Sequence, residues 1–252
     1  MNKRQQILID KLNNIGYVSV IDIAKEFNVT EMTIRRDLSF FEKEGFAIRV
    51  HGGAVPRSPV PLGIDVMMQK PRDTQIAIAK QALKLLKPYQ TIIFNVGTTI
   101  LQIAKEIAVA KIPLTVITNS IPVAITLYKS KCQVLLTGGT LREHGLDLIG
   151  PITEKNLHEY HVDLLISGCD AALADEGFFT SDINLAEIEK KSVKISHRTI
   201  VVTESNKFGH KSFAKFANIN EVDIVITDSN ISKEDLFLLQ KQETQVIIAQ
   251  QL

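Results

Sequence analysis

The chain has 252 residues, which allows one or two domains, and its 45% apolar content is enough for a real core. The net charge of +1 excludes a uniformly basic nucleic-acid binder: residues 1–57 hold nine Lys/Arg against seven Asp/Glu, the remainder twenty against twenty-one, so any attractive field is confined to one face. The start, MNKRQQIL, has no apolar leader region and no apolar run approaches membrane-spanning length, so the expectation is a soluble, cytoplasmic protein with no membrane partner.

The first predicted helix runs from Lys3 to Ile15, with Ile7, Leu8, Leu12 and Ile15 on one side. Ser19 and Asp22 stand at capping-box spacing before a second helix, whose apolar positions are Val20, Ile23, Ala24 and Phe27. Asn28-Val29 breaks that pattern, because Asn tolerates the geometry of a helix end. Thr30 caps a third helix with Ile34, Leu38 and Phe41 on its buried face and Glu31, Thr33, Arg35, Arg36 and Ser39 opposite. Phe46 to His51 then alternates apolar and polar residues toward Gly52-Gly53, as a β-wing does. Three helices, a tight turn and a wing read as a winged helix-turn-helix over residues 1–57. A plain helical bundle with solvated arginines competes, but motif, order and spacing agree against it at several points.

Pro56, Pro59 and Pro61 fall within six residues and fix the backbone, so residues 58–71 read as an extended connector. From Arg72 to the end, residues 72–252, short β-branched runs alternate with helical stretches. The runs are Thr91–Phe94, Leu114–Ile117, Val134–Leu136, Asp163–Ser167, Thr199–Val202, Val222–Ile226 and Val246–Ala249. The helical stretches are Ile76–Leu86, Ile100–Ile107, Pro122–Tyr128, Ile152–His158, Leu185–Ser196 and Lys233–Lys241. Such alternation predicts an α/β domain with a mostly parallel sheet, and ligands of such sheets sit at the carboxyl ends of the strands. Four polar loops lie there: Asn95-Val96-Gly97-Thr98-Thr99 leading into a helix, Thr118-Asn119-Ser120, Thr137 to Arg142 with Gly138-Gly139 before the guanidinium, and Ser205 to Gly209. Each alone is weak, since a Gly-Thr-Thr turn is more often a plain helix cap. Together they suggest a site for a small phosphorylated, hydroxyl-rich ligand held at a helix start.

Other features take the plainer reading. His158 and His161 read as a surface pair rather than metal ligands, and no metal or cofactor is expected. Cys132 and Cys169 read as buried reduced thiols. Asp170, Asp175 and Glu176 read as a solvated acidic loop from which Asp170 could reach a ligand, and Phe178-Phe179 as core or interface.

FNVTEMTIRRDL followed by FEKEGFAIRVHGGA resembles the N-terminal signature of DeoR-type bacterial transcriptional regulators. In that family the TIRRDL helix reads DNA. The resemblance implies groove-facing roles for Thr30, Met32, Thr33, Arg35 and Arg36, with Arg49 and His51 on the wing. The GTT, TNS, GGTLR and KFG segments and Asp182 likewise resemble the effector domain of these regulators, whose fold is that of ribose-5-phosphate isomerases and glucosamine-6-phosphate deaminases. By position, Gly97, Thr98, Thr99 and Lys207 would hold a phosphate, with Thr118, Asn119, Gly139 and Arg142 close by and Asp182 and Glu187 on the sugar hydroxyls. The chain departs from the family pattern with Asn95 for Asp, Leu185 for Glu, Glu189 for Lys, and Glu204 opening the Ser-Asn-Lys-Phe-Gly run. The resemblance implies a repressor of a carbohydrate-utilisation operon, relieved by a phosphorylated sugar and acting on operator DNA as a homodimer or homotetramer. A sugar-phosphate isomerase or deaminase with an accessory DNA-binding module is the alternative. It needs a proton-shuttling carboxylate, and Asp163, Asp170, Asp182 and Glu187 supply carboxylates without a spacing that singles one out; no enzyme activity is expected.

Overall fold

The computed structural model describes residues 3–15, 17–44, 46–50, 52–56, 71–142 and 145–250. The chain divides into two compact units, Met1–Pro61 and Leu62–Leu252. His51 and residues 58–70 of the expected connector lie outside the described residues.

In the first unit, α1 (Lys3–Ile15), α2 (Val20–Glu26) and α3 (Glu31–Lys43) precede a hairpin of β2 (Ala47–Val50) and β3 (Gly53–Pro56). β3 also pairs with β1 (Val18–Ser19), a two-residue strand too short to register in the sequence. The Ser19 hydroxyl accepts the Asp22 N–H at 3.4 Å and that of Thr30 accepts the Thr33 N–H at 3.3 Å. Asn28, between the two helices, takes a φ of 51°, the left-handed turn geometry that Asn tolerates. Leu8, Leu12, Ile34, Leu38 and Phe41 are fully buried, each stabilising the unit by roughly 1.5–3 kcal/mol. Two details of the sequence reading change. Ile7 is 48% exposed and Ile9 packs inward beside Leu8 and Leu12, while the side chain of Ile15 lies outside the described residues. Along β2 only Ala47 turns into the core, while Ile48 and Val50 stay exposed.

In the second unit, seven parallel strands form one sheet in the order β15-β14-β12-β9-β4-β5-β6. They are β4 (Thr91–Phe94), β5 (Thr115–Thr118), β6 (Gln133–Leu136), β9 (Leu164–Ser167), β12 (Thr199–Val202), β14 (Ile224–Asp228) and β15 (Gln245–Ala249). One face packs against α4 (Asp73–Leu83), α5 (Thr98–Ala110) and α6 (Ile121–Leu127) through Ile78, Ile92, Phe94, Ile103 and Val123. The other packs against α7 (Pro151–His158), α8 (Ile183–Ile195) and α9 (Lys233–Lys241) through Leu157, Ile188 and Leu239. Both faces are covered, which is why these strands read as continuous apolar runs rather than alternating ones. After β6 the chain crosses back to lay β9 on the far side of β4, so the strand order reverses between β4 and β9. A crevice opens at such a reversal, outside the carboxyl ends of the strands.

Two additions were not legible. β7 (Thr140–Arg142) and β8 (Asp147–Ile149) form an antiparallel hairpin, and β10 (Ala171–Leu173), β11 (Gly177–Thr180) and β13 (Ala214–Asn218) form a second, antiparallel sheet. The stretch read as an acidic loop is thus largely β10 and its turn, and Phe178 and Phe179 are core residues of β11. The α4 helix begins at Asp73 rather than Ile76, because the Gln75 side chain reaches back to accept the Arg72 N–H at 3.1 Å.

Candidate functional site

On the first unit, α3 is held from behind. Asp37 is 4% exposed and accepts from Arg4 Nε at 2.8 Å, Arg4 Nη2 at 3.2 Å and Gln5 Nε2 at 2.9 Å. A carboxylate gripped by a guanidinium fork fixes geometry as well as energy, so α1 sets the rotation of α3. Pattern reading missed this residue because an acidic side chain on a helix defaults to solvent. The opposite face stays open: Thr30, Met32, Arg35 and Arg36 are exposed, Met32 by 61%, and Thr33 is half-buried with its hydroxyl 2.9 Å from that of Thr30. Arg35 makes only a loose 3.4 Å contact with Glu31 one turn earlier, a surface pair worth little. Arg49 stands on β2 and donates to Ser39 Oγ at 3.1 Å, tying the hairpin to α3. Thr30, Met32, Thr33, Arg35, Arg36 and Arg49 therefore belong to one helix-and-hairpin surface.

On the second unit, the loop after β4 enters α5 through Gly97, whose φ of 134° needs a glycine. That leaves the first N–H groups of a 13-residue helix for an anion. Thr98 is half-buried with its hydroxyl accepting from Gln75 Nε2 at 2.8 Å, and Thr99 is buried. Across the reversal point, Gly168 after β9 stands close to the first loop: a Cβ there would touch the Val96 carbonyl at 3.4 Å. Lys207 closes a one-turn helix (Ser205–Lys207) after β12. Asp228 at the end of β14 fixes that turn, accepting the Ser205 N–H at 2.7 Å and its hydroxyl at 2.8 Å. Burial alone would raise the Asp228 pKa, but these donors and the Asn230 N–H hold it below the ordinary value. Cys169, beside Gly168, donates to Thr203 Oγ1 at 3.2 Å; burial pushes its thiol up to about 12, and the nearby Lys207 ammonium opposes that only in part. Glu204 does not point at a ligand. It accepts from Arg72 Nη2 at 2.6 Å and Thr74 Oγ1 at 2.8 Å, pinning the start of α4.

A second cluster surrounds the β7–β8 hairpin. Arg142 grips Asp147 through two hydrogen bonds of 2.8 and 2.5 Å, and its Nη1 lies 3.8 Å from Asp182. Asp182 caps α8 by accepting the N–H groups of Asn184 and Leu185. Asp170 accepts the Ser181 N–H at 2.7 Å and the Thr180 hydroxyl at 3.3 Å. Glu189, 2% exposed, is a carboxyl that the sequence reading named only as a departure from the family's Lys. Its burial, reinforced by Asp170, pushes its pKa well above the ordinary range.

Of the residues named from sequence, Gly97, Thr98, Thr99 and Lys207 come to the strand-end crevice, and Asn119, Arg142 and Asp182 to the hairpin. Three others stand apart. Thr118 is spent internally, donating to the Phe94 carbonyl at 2.7 Å and accepting from the Ser120 N–H at 3.0 Å. Gly139 is a glycine for packing, since a Cβ would lie 2.1 Å from Thr153 Oγ1. Glu187 is exposed and pairs with Lys190 at 2.7 Å, away from the buried face of α8 that carries Glu189. Asn95, in the first loop, is buried between Ser167 and Ser192, to which its amide donates at 3.1 Å and from which it accepts at 3.2 Å. Cys132 and Cys169 are free and only partly buried, and His158 and His161 are exposed. No helix among the described residues is long and apolar enough to cross a membrane.

Comparison with known proteins bears on both units. The DeoR-like helix-turn-helix domain matches residues 4–59 and the DeoR C-terminal sensor domain matches residues 71–229. The chain is 34% identical over 249 residues to the transcriptional regulator YulB of Bacillus subtilis, covering 97% of this chain and 95% of that protein. It is 30% identical over 240 residues to the lactose phosphotransferase system repressor of Staphylococcus epidermidis, covering 91% and 94%. Among solved structures, the ribose 5-phosphate isomerase of Methanocaldococcus jannaschii is similar at a TM-score of 0.39 and 18% identity, over 53% of each chain. Both units and nearly the whole length match regulators in the same order, and the chain belongs to the DeoR family of helix-turn-helix transcriptional regulators.

Proposed function

We propose that the protein represses a carbohydrate-utilisation operon in the cytoplasm and lets go of its operator when a phosphorylated sugar binds the second unit. The observation that carries this reading is one chain holding both a braced helix, with Met32, Arg35 and Arg36 open on one face, and a glycine-gated helix start in a sheet whose β12 is followed by Lys207, near Cys169. The helix enters the major groove, where an arginine takes guanine in two places or neutralises a phosphate, and Met32 offers apolar contact to a base edge. Arg49 on the hairpin reaches the flanking backbone, and His51 takes the same role by family resemblance. The phosphate rests on the N–H groups of Gly97, Thr98 and Thr99, with the Lys207 ammonium completing the cradle. Asn119, Arg142 and Asp182 take the sugar end. Thr118 and Gly139 shape that end without touching the ligand, and Glu187 has no place in it. A homodimer or homotetramer presents two reading helices to two half-sites, as operators of this kind require. The sequences named as repressors among the relatives support the sign of regulation.

The test uses promoter DNA and a series of salt concentrations. Replacing whichever of Arg35 and Arg36 neutralises a phosphate should weaken binding to all sequences and flatten the salt slope by about one unit. Replacing the one that reads a base should cost about 1–3 kcal/mol and relax one operator position. Wild-type affinity in both alanine variants would remove α3 from the interface.

A further inference from the structure

We propose that the ligand of the second unit carries an ammonium group opposite its phosphate, and that Glu189 is the residue that selects it. The inference rests on the phosphorylated-sugar reading above and narrows it to amino-sugar phosphates. Among the described residues, three buried side-chain oxygens or nitrogens have no hydrogen-bond partner: Asn119 Oδ1, Glu189 Oε2 and Thr227 Oγ1. The first two border the β7–β8 hairpin. Asn119 is 2% exposed and its Nδ2 donates to the Leu148 carbonyl at 3.1 Å, which fixes the amide orientation and leaves Oδ1 as the orphan. Glu189 is 2% exposed and faces the charges of Asp147, next to Leu148, and of Asp170, Asp182 and Arg142, with the Cys169 thiol also near.

The other three carboxylates are already served: Asp147 by Arg142, Asp182 by the start of α8, Asp170 by Ser181 and Thr180. One guanidinium stands among four carboxyl groups, and it is committed to Asp147. Buried acceptors left without donors are costly, and natural proteins rarely keep them without a use. Asn119 Oδ1 needs a donor, and so does Glu189 Oε2 once that carboxyl is ionised. A sugar hydroxyl brings one donor and no charge. An ammonium brings three donors and the charge that a buried carboxylate lacks. Burial and the neighbouring carboxylates favour the neutral form of Glu189 in the free protein, and an ammonium beside it favours the ionised form.

The experiment compares isosteric pairs by calorimetric titration at neutral pH: glucosamine 6-phosphate against glucose 6-phosphate, galactosamine 6-phosphate against galactose 6-phosphate, with N-acetylglucosamine 6-phosphate and inorganic phosphate alongside. One amine is expected to bind about tenfold or more tighter than its hydroxyl and N-acetyl counterparts, since a charge-assisted bond to a buried group is being added. In Glu189→Gln the preference should fall to within about twofold while affinity for inorganic phosphate is kept. Glu189→Asp, which keeps the charge, should retain part of the preference, and the wild-type comparison does not depend on either variant folding. Hydroxyl sugars binding as tightly as the amines, or a preference that survives Glu189→Gln, overturns the inference while the phosphorylated-sugar reading stands. If no phosphorylated sugar and no inorganic phosphate binds the wild type, that wider reading falls with it.

Discussion

At the scale of single residues, Glu189 has a consequence for stability that is independent of any ligand. Its folded-state pKa lies above the ordinary value of 4.5, so the folded chain holds a proton that the unfolded chain gives up. The stabilisation is therefore complete below the unfolded value and is lost as pH rises through the raised folded one. The thermal midpoint of the unliganded protein should fall as pH increases above the ordinary carboxylate value, and Glu189→Gln should flatten that slope. A slope unchanged in the variant would mean that another group carries it. Asp228 runs in the opposite sense, since its lowered pKa contributes stability that is present above the ordinary carboxylate value and lost in acid. Sequence reading singled out Gly97, which opens a 13-residue helix with a φ of 134°, because helix-start chemistry is written in local residue types, whereas the role of Lys207 came by resemblance alone. It named Glu189 only as a departure from the family pattern and gave Glu187 a site role by resemblance, because two glutamates two residues apart lie on opposite faces of one helix, and only the packing of α8 says which face is inside.

At the scale of elements, two glycines hold hairpins together for steric reasons. A Cβ on Gly53 would stand 2.1 Å from the Val18 carbonyl oxygen, where β1 meets β3, and one on Gly139 would collide with Thr153. The clash at Gly53 is with backbone, which cannot swing aside. Gly53→Ala should therefore destabilise the first unit by about 1–3 kcal/mol in denaturant unfolding, with operator binding lost in proportion. Wild-type stability would show that β1 is dispensable. The same comparison explains what was legible. Apolar periodicity located every strand of the main sheet to within two residues, because strands buried on both faces need unbroken β-branched runs. The β7–β8 hairpin and the β10-β11-β13 sheet escaped notice. Their strands are three to five residues long and mix exposed polar positions with small ones, so no period emerges. The Asp37 clamp on α1 escaped for a related reason: its partner lies 33 residues away, beyond any local window.

At the scale of the whole molecule, a DeoR-like helix-turn-helix unit and a DeoR sensor unit share one chain, and the proposed function lies in their coupling. Binding without chemistry is the first expectation. Asn95 is a buried amide committed to two serines and cannot shuttle a proton. Purified protein incubated with ribose 5-phosphate or glucosamine 6-phosphate should give no product above blank, and turnover at even about 1 s⁻¹ would restore an enzymatic role. The second expectation is linkage. A ligand that favours one conformation of the sensor unit changes operator affinity only to the extent that its affinity for the two conformations differs. By reciprocity, operator DNA must weaken ligand binding by the same factor. The most direct measurement is operator affinity titrated with and without the sugar phosphate that binds the sensor unit, for wild type and Lys207→Ala. A saturating ligand should weaken operator binding by about 5- to 150-fold in the wild type, while Lys207→Ala, lacking the phosphate contact, should need far more ligand for the same release. Unchanged operator affinity at saturation contradicts the switch, and tighter binding reverses its sign to co-repression.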